Sequence, residues 1–339
     1  MRRLTSALLE IDKNLIIEWI FYNSAEEKEV YHHDRFVLKY FKTFNELLNY
    51  INLRKPEHVI CTWIKPKDRI KFAVFRKNHP EIKFHNLVFF YPESPLKRFF
   101  KFLEFLLFPY NGKVFCVSNR QYKYLRRICK NVVYILPPVP REYFLSPEEK
   151  PVNEKIKITF LGRIDPRKGI KEVIEIFRTL KGNPKFEFEI YGIHIPQDRD
   201  AFNIHNWLKS QNEIKYVELN RQAYSPEVEE MVKKILKTTD ILIQPYKNLD
   251  STVDTPLLLL EAMASLCIFL TTSVGDIQDI YGIENFVIPP DQFIQKALKL
   301  LQVINYSLII KERERLFKKI NEIECESFVV SQKFWDNLE

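Results

Sequence analysis

Two short stretches of this chain combine residue types and spacings that could do chemistry. The first is Gly162-Arg163-Ile164-Asp165-Pro166-Arg167-Lys168-Gly169. It follows an apolar run, IKITFL at 156–161, and precedes a stretch with helical spacing from Ile170 to Leu180. Ligands of open α/β sheets sit outside the carboxyl ends of strands. Gly162 at such a place lets a ligand come close to the backbone. The planar fork of Arg163 suits a diphosphate, and Lys168 adds a compact charge. A solvated basic loop would carry the same residues, and the spacing by itself does not separate the two.

The second stretch is Asp254-Thr255-Pro256 followed by Leu257 to Leu260, Glu261, Ala262, Met263, Ala264 and Ser265. Glu261 is the one acid in a segment otherwise apolar from Pro256 to Ala264. A carboxylate on a buried helix is costly without a partner. A pair of ribose hydroxyls would supply one; an internal salt bridge would too. Thr255-Pro256, like Ser225-Pro226 earlier, reads as an N-cap with proline at the first helical position. The helix start at Thr255–Leu258 offers free amides and a positive dipole end to an anion. Pro256, having no N–H, removes one donor.

The elements that must position these residues alternate between strand and helix. Strands are expected at 156–161, 186–191, 214–219, 241–245, 267–272 and 286–290, with helices between them, the last at 292–301. This pattern implies a parallel sheet with helices on both faces, and 151–315 reads as one doubly wound α/β domain. The first half alternates too. Strands are expected at Ser6–Ile11, Leu15–Tyr22, His58–Trp63, 86–91, Lys113–Ser118 and Val132–Leu136. Helices are expected at Phe44–Asn52, from Ser94-Pro95 to Phe108, and at Arg120–Cys129. That makes 1–145 a second α/β domain. Pro137–Val152, with five prolines, reads as the linker. The segment 316–339 reads as a polar helix with Phe328, Phe334 and Trp335 as anchors, crossing back toward the first domain.

Composition excludes several classes. The chain has 339 residues, 46% hydrophobic and 28% charged, as in ordinary globular domains. Seven glycines leave little room for Gly-rich phosphate loops, so an anion site must lean on side chains and helix starts. A formal charge of +8 fits anionic partners or plain solubility. The five cysteines form no C-x-x-C pair, which points to free thiols in a reducing compartment and to no metal site. The N-terminus is too short and interrupted for a signal peptide, and no apolar run is long enough to span a bilayer. The expected location is the cytoplasm. No recognisable nucleic-acid module appears, so nucleic acid is not an expected partner.

The helix at 95–108 (PLKRFFKFLEFLLF) is unusual. Leu96, Phe99, Phe100, Leu103, Leu106 and Leu107 form a broad apolar face, with Lys97, Arg98, Lys101 and Glu104 opposite. Phe102, Phe105 and Phe108 flank or share the charged side. Basic residues mixed with phenylalanines suit a membrane interface. A neighbouring segment such as the C-terminal helix could equally cover them.

The two chemical stretches together resemble the GT-B glycosyltransferases of family 4. Gly162, Arg163, Lys168 and Gly169 match the family's G-R-x-x-x-x-K-G, and Leu260–Ala264 match its L-E-A-M-A. Leu270–Asp279 resembles a T-x-x-G-G-x-x-E segment, with Asp276 in place of the second glycine. The likeness covers roughly 110–303. It implies two Rossmann-like doubly wound domains with a cleft between them: an acceptor-binding domain at 1–145 and a donor-binding domain at 151–315. It implies transfer of a sugar from a UDP- or GDP-sugar, a hexosyltransferase reaction with retention. No cofactor and no metal would take part, because Arg163 and Lys168 would hold the diphosphate. Glu261 would bind the donor ribose. Gly162, Gly192 and the amides near Thr255 and Leu257 would face the donor, and Asp254 would cap the helix or touch the sugar. The acceptor would be a glycan or a lipid-borne group, approached from the inner membrane face through 95–108. Tyr91 and Glu93 are the acceptor-site candidates. One departure is plain: the family's first glutamate of a pair falls at Val253. That leaves an inactive binding subunit on the same fold as the alternative.

Overall fold

The computed structural model describes residues 2–89, 94–193, 198–212, 214–219 and 226–338. Tyr91, Glu93 and the Ser225 cap lie outside the described residues. The chain divides into two units, Met1–Pro138 with Glu326–Glu339, and Val139–Cys325.

In the first unit, β1 (Ile17–Tyr22), β2 (Lys28–His33) and β3 (Phe36–Phe41) form one sheet in the order β1-β3-β2. β1 runs parallel to β3, and β2 antiparallel to it. β4 (His58–Cys61), β5 (Lys83–Val88), β6 (Val114–Cys116) and β7 (Val132–Tyr134) form a parallel sheet in sequence order. The helix Phe44–Arg54 is started by a capping box, in which Thr43 Oγ1 accepts from the Glu46 amide and Glu46 accepts from the Thr43 amide.

Four features of this unit differ from the sequence reading. Residues 6–11 are not a strand but the end of a helix, Arg2–Ile11. Leu4, Ala7 and Leu8 are buried at helical spacing, and that period prevails over the short apolar run. The helix Arg69–Asn78, whose apolar positions are mixed with lysines and arginines, the largely polar β2 (KEVYHH) and β3 (FVLKYF), an apolar run with one lysine, are not among the expected elements. The C-terminal region is two helices, Tyr306–Glu322 in the second unit and Ser327–Asp336 in the first, so the units part at Cys325 rather than at residue 315. The longer helix buries Ile309, Leu316 and Ile320 against the second unit's helix Leu257–Ala264 and the strand Ile268–Thr272. The shorter one packs on Arg2–Ile11, with Val330, Phe334 and Leu338 meeting Leu4, Leu8 and Phe115.

The helix Pro95–Leu107 is turned against expectation. Phe105, placed on the charged side by the sequence, is its buried residue. Leu96, Phe99, Phe100, Leu106 and Leu107 are exposed.

The second unit holds β8 (Ile156–Arg163), β9 (Phe186–Ile193), β10 (Lys215–Leu219), β11 (Ile241–Gln244), β12 (Ile268–Thr272) and β13 (Val287–Ile288). All are parallel, in the order β10-β9-β8-β11-β12-β13. Counted from β8, that is the doubly wound 3-2-1-4-5-6 order. Every residue of β11 and β12 is buried, as expected of strands covered on both faces. Beneath the sheet, Asp240 pairs with Arg313 and accepts from the Lys157 amide at 2.8 Å.

Candidate active site

The strand order reverses between β8 and β11, and ligands of such sheets bind outside the carboxyl ends of the strands at that switch point. The loops after these two strands carry the chemistry. Gly162 and Gly192 are register partners at the ends of β8 and β9. Gly162 has φ +151°, and nothing lies within 4 Å of where a Cβ would be, so its outer side is open. Gly192 is closed by contrast: a Cβ would meet Ile164 Cδ1 at 2.5 Å and Tyr216 Cε2 at 2.9 Å.

The loop 163–169 is built around Asp165, which is buried. Its carboxylate accepts from the Arg167 amide at 2.9 Å and from Arg167 Nε and Nη2 at 3.0 and 2.8 Å. Burial alone would raise its pKa; the hydrogen bonds from Arg167, then the charges of Arg167 and Arg163, hold it below the usual carboxylate value. Arg163 is held loosely, with Nη2 3.9 Å from Asp165, and its side chain is 43% exposed. Arg167 is thus engaged in the loop, while most of the hydrogen-bonding capacity of Arg163 remains for a ligand.

Gly169 closes the loop with φ +77°, and a Cβ there would overlap the Pro245 carbonyl. The Lys247 amide donates to the Arg167 carbonyl at 3.2 Å. These contacts fix the loop after β8 to the loop after β11. They leave Lys168 Nζ over the ring of Tyr246, 4.9 Å from its centre. Among the described residues no carboxylate lies within ion-pair distance of Lys168. Burial first, then the charge of Arg163, lowers the Lys168 pKa to about 8, against a smaller opposing effect of Asp165. Arg163 and Lys168 thus raise the local positive potential, with one weak carboxylate contact against it.

Tyr246 is fully buried, and Thr272 Oγ1 donates to its carbonyl at 2.5 Å. Burial raises its phenol pKa, Thr252 opposes that by hydrogen bonding, and the charge of Glu261 raises it further. Tyr246 is thus near Lys168 and feels the charge of Glu261 as well. Glu261 is buried in the helix Leu257–Ala264, as the apolar setting of its sequence implied.

That helix starts one residue later than its sequence indicated. Pro256 is the N-cap residue, not the first helical one, and no side chain caps the helix. Its missing N–H therefore costs the helix no donor, and the amides of Leu257 and Leu258 are left in the first turn without a cap. Thr255 is not the cap; its Oγ1 is buried without a hydrogen-bond partner among the described residues. Asp254 is buried, and its carbonyl accepts from the Asp276 amide at 3.0 Å. Gly275, with φ +64°, allows that approach, since a Cβ there would lie 2.7 Å from the Asp254 carbonyl oxygen. The loops after β11 and β12 are joined in this way.

Gly162, Arg163 and Gly192 at strand ends, Lys168, Asp254 and Thr255 in the following loops, and Leu257 and Glu261 on the helix Leu257–Ala264 all belong to one unit. Tyr91 and Glu93 lie outside the described residues. Sequence reasoning passed over Tyr246 and Asp165. Each had a signal: Tyr246 ends the strand run ILIQPY, and Asp165-Pro166 is a loop-forming pair just after Arg163. Among the described residues no group of three or more His, Cys, Asp or Glu residues is arranged to hold a metal.

Residues 155–303 match the family described as glycosyl transferases group 1. They are a group 1 glycosyltransferase domain, carried on a GT-B fold. No curated protein matches the chain. HepE of Anabaena, solved with UDP and glucose, superposes with a TM-score of 0.63 at 11% identity, covering 87% of this chain and 80% of HepE. The trehalose 6-phosphate synthase of Burkholderia multivorans gives 0.70 at 9% identity, covering 99% and 91%. WaaG, described as a glycosyltransferase of lipopolysaccharide biosynthesis, gives 0.62 at 12% identity, covering 99% and 94%. At such identities the likeness carries the fold. The family match falls on the segment that holds the glycosyltransferase's two cations, its two facing glycines and Glu261.

Proposed function

We propose that this glycosyltransferase moves a sugar from a UDP- or GDP-sugar to a lipid-borne or glycan acceptor, with retention at the anomeric carbon and without a metal or cofactor. The observation that carries the reading is the pairing of Arg163 with Lys168 at the switch point of a group 1 domain. As the glycosidic bond to the diphosphate breaks, negative charge builds on the departing oxygen. Cations already fixed there stabilise that charge without reorganising. Burial and the charge of Arg163 lower the Lys168 pKa to about 8, and a bound diphosphate would offset both.

Glu261 would receive the ribose hydroxyls, and Gly162 would let the diphosphate approach the backbone. Leu257 and Leu258 present uncapped amides, and Thr255 a buried hydroxyl, to the phosphates or the sugar. Asp254 would touch the donor sugar beside Val253, which takes the place of an acidic residue. HepE was crystallised with UDP-glucose, which supports the uridine donors as the first to try. Tyr91 and Glu93 remain the acceptor candidates, and the inner face of a membrane is the proposed place of work.

The test is transfer from a panel of UDP- and GDP-sugars in the presence of EDTA, with the product's anomeric configuration read by NMR. A product with the donor's configuration is expected. An inverted product would overturn retention, and loss of turnover in EDTA would overturn metal independence.

A further inference from the structure

We infer that the first unit carries a docking surface for an anionic lipid bilayer, built from the outward face of helix Pro95–Leu107 and the basic cluster beside it. This deepens the proposed lipid-borne acceptor by naming the surface that reaches it; the docking is independent of which sugar is moved.

The helix lies inside out. A helix on the surface of a globular protein buries its apolar stripe and shows its charges. Here the charged edge is turned inward. Glu104 accepts from Lys101 Nζ at 3.5 Å and from Arg69 Nη1 at 3.1 Å, and Lys101 Nζ lies 4.8 Å from the centre of the Phe105 ring. Phe105 packs with Val88, Val114 and Leu125 in the core. The apolar face is left in water, with Phe99 55%, Phe100 58%, Leu106 60% and Leu107 63% exposed. Such a patch needs an apolar partner. The C-terminal helix, the nearest alternative cover in the sequence, is packed on Arg2–Ile11 instead.

Charge names the partner. Residues 94–130 contain nine lysines and arginines and a single acid, Glu104. Their excess equals the formal +8 of the whole chain, so the rest is balanced. Glu104 is engaged by two cations, which leaves no free acid in the segment. The helix Asn119–Leu125 is joined to Pro95–Leu107 by Tyr124 Oη, which donates to the Arg98 carbonyl at 2.6 Å. Lys123, Arg126, Arg127 and Lys130, on and just after it, are exposed. Exposed phenylalanines and leucines next to exposed cations match the two layers of an anionic bilayer surface, acyl chains below and acidic headgroups above. Among the described residues no single helix is long and apolar enough to cross a membrane, so the contact is interfacial.

The experiment is co-sedimentation of the full chain with vesicles of phosphatidylcholine alone and of phosphatidylcholine with phosphatidylglycerol, without donor. The wild type should pellet with the mixed vesicles and lose binding as salt rises. Phe99→Ser with Phe100→Ser should weaken binding at least about tenfold, since two apolar side chains leave the interface. Leu106→Ser with Leu107→Ser, about two turns along the same face, should do the same. Arg126→Gln, Arg127→Gln and Lys130→Gln together should cost about fivefold per cation at low salt and remove most of the salt dependence. An unchanged affinity for UDP in each variant would separate lost docking from lost folding or a lost donor site. Absence of wild-type binding, equal binding to both vesicle types, or binding untouched by both apolar pairs would overturn the proposal. A solution dimer that the Phe99 and Phe100 changes convert to monomer would also overturn it, by naming a second copy as the occupant.

Discussion

Lys168 rests its ammonium over the buried ring of Tyr246, 4.9 Å from the ring centre, with no carboxylate among the described residues within ion-pair distance. Burial and the neighbouring Arg163 favour the neutral amine and bring its pKa to about 8. A bound diphosphate favours the ammonium and raises that value. Binding of UDP should therefore take up a proton near and above pH 8, and affinity should weaken as pH rises through about 8. Calorimetric titrations in two buffers of different ionisation enthalpy measure the uptake. Lys168→Met should abolish it; uptake that persists in this variant would assign the proton elsewhere.

Glu261 makes a sharper prediction about the nucleotide. A hydrogen bond to a charged group is worth about 1.5–3 kcal/mol, so Glu261→Gln should weaken UDP by about 10- to 100-fold. The same change should hardly affect a nucleotide whose ribose lacks both hydroxyls. A variant that weakens both ligands equally would place Glu261 in a structural role.

Gly169 ties the two loops together. Alanine there would need a left-handed backbone, and its Cβ would overlap the Pro245 carbonyl. Gly169→Ala should lower stability by about 1 kcal/mol or more and impair the Lys168 position with it. Chemical denaturation and UDP affinity report the two effects. Gly182→Ala serves as the control, because its φ of +74° is similar but nothing lies within 4 Å of its Cβ position.

The first unit has its own pH signature. His85 is buried, its Nδ1 accepts from the Lys113 amide at 2.9 Å, and its Nε2 lies 3.0 Å from His58 Nδ1. Burial first, then the charges of His58, Lys83 and Lys113, lowers its pKa from 6.5 to about 4. The folded state thus binds fewer protons than the unfolded one in that window. Stability should be full above pH 6.5 and fall as pH drops from 6.5 towards 4. Urea midpoints across this range measure it, and His85→Gln should narrow the difference.

The second unit was legible because its strands are short, apolar or alternating, and bounded by turn signals, and because Arg163 and Lys168 follow a strand and Glu261 stands alone in an apolar helix. What stayed hidden depended on contacts between distant residues. The Tyr246 ring matters only because Gly169 lets Pro245 come near. The contact of the Asp276 amide with the Asp254 carbonyl, just before the Pro256 cap, joins residues far apart in sequence, which no local pattern encodes. In the first unit, periodicity showed the two faces of the helix Pro95–Leu107, but the general rule that the apolar face turns to the core fails there. The strand β2 (KEVYHH) is too polar to stand out from a loop, whereas β3 (FVLKYF) is an apolar run with a single lysine and is legible as a strand.

The central claim is that Arg163 and Lys168 hold and stabilise the departing diphosphate. The most direct measurement is kcat/KM for sugar transfer by the wild type, Arg163→Ala and Lys168→Ala, using the best donor of the UDP- and GDP-sugar panel. Each substitution should lower it by about 10²- to 10³-fold, the loss typical of one preorganised charge-stabilising group. Equal activity in all three proteins would contradict the account.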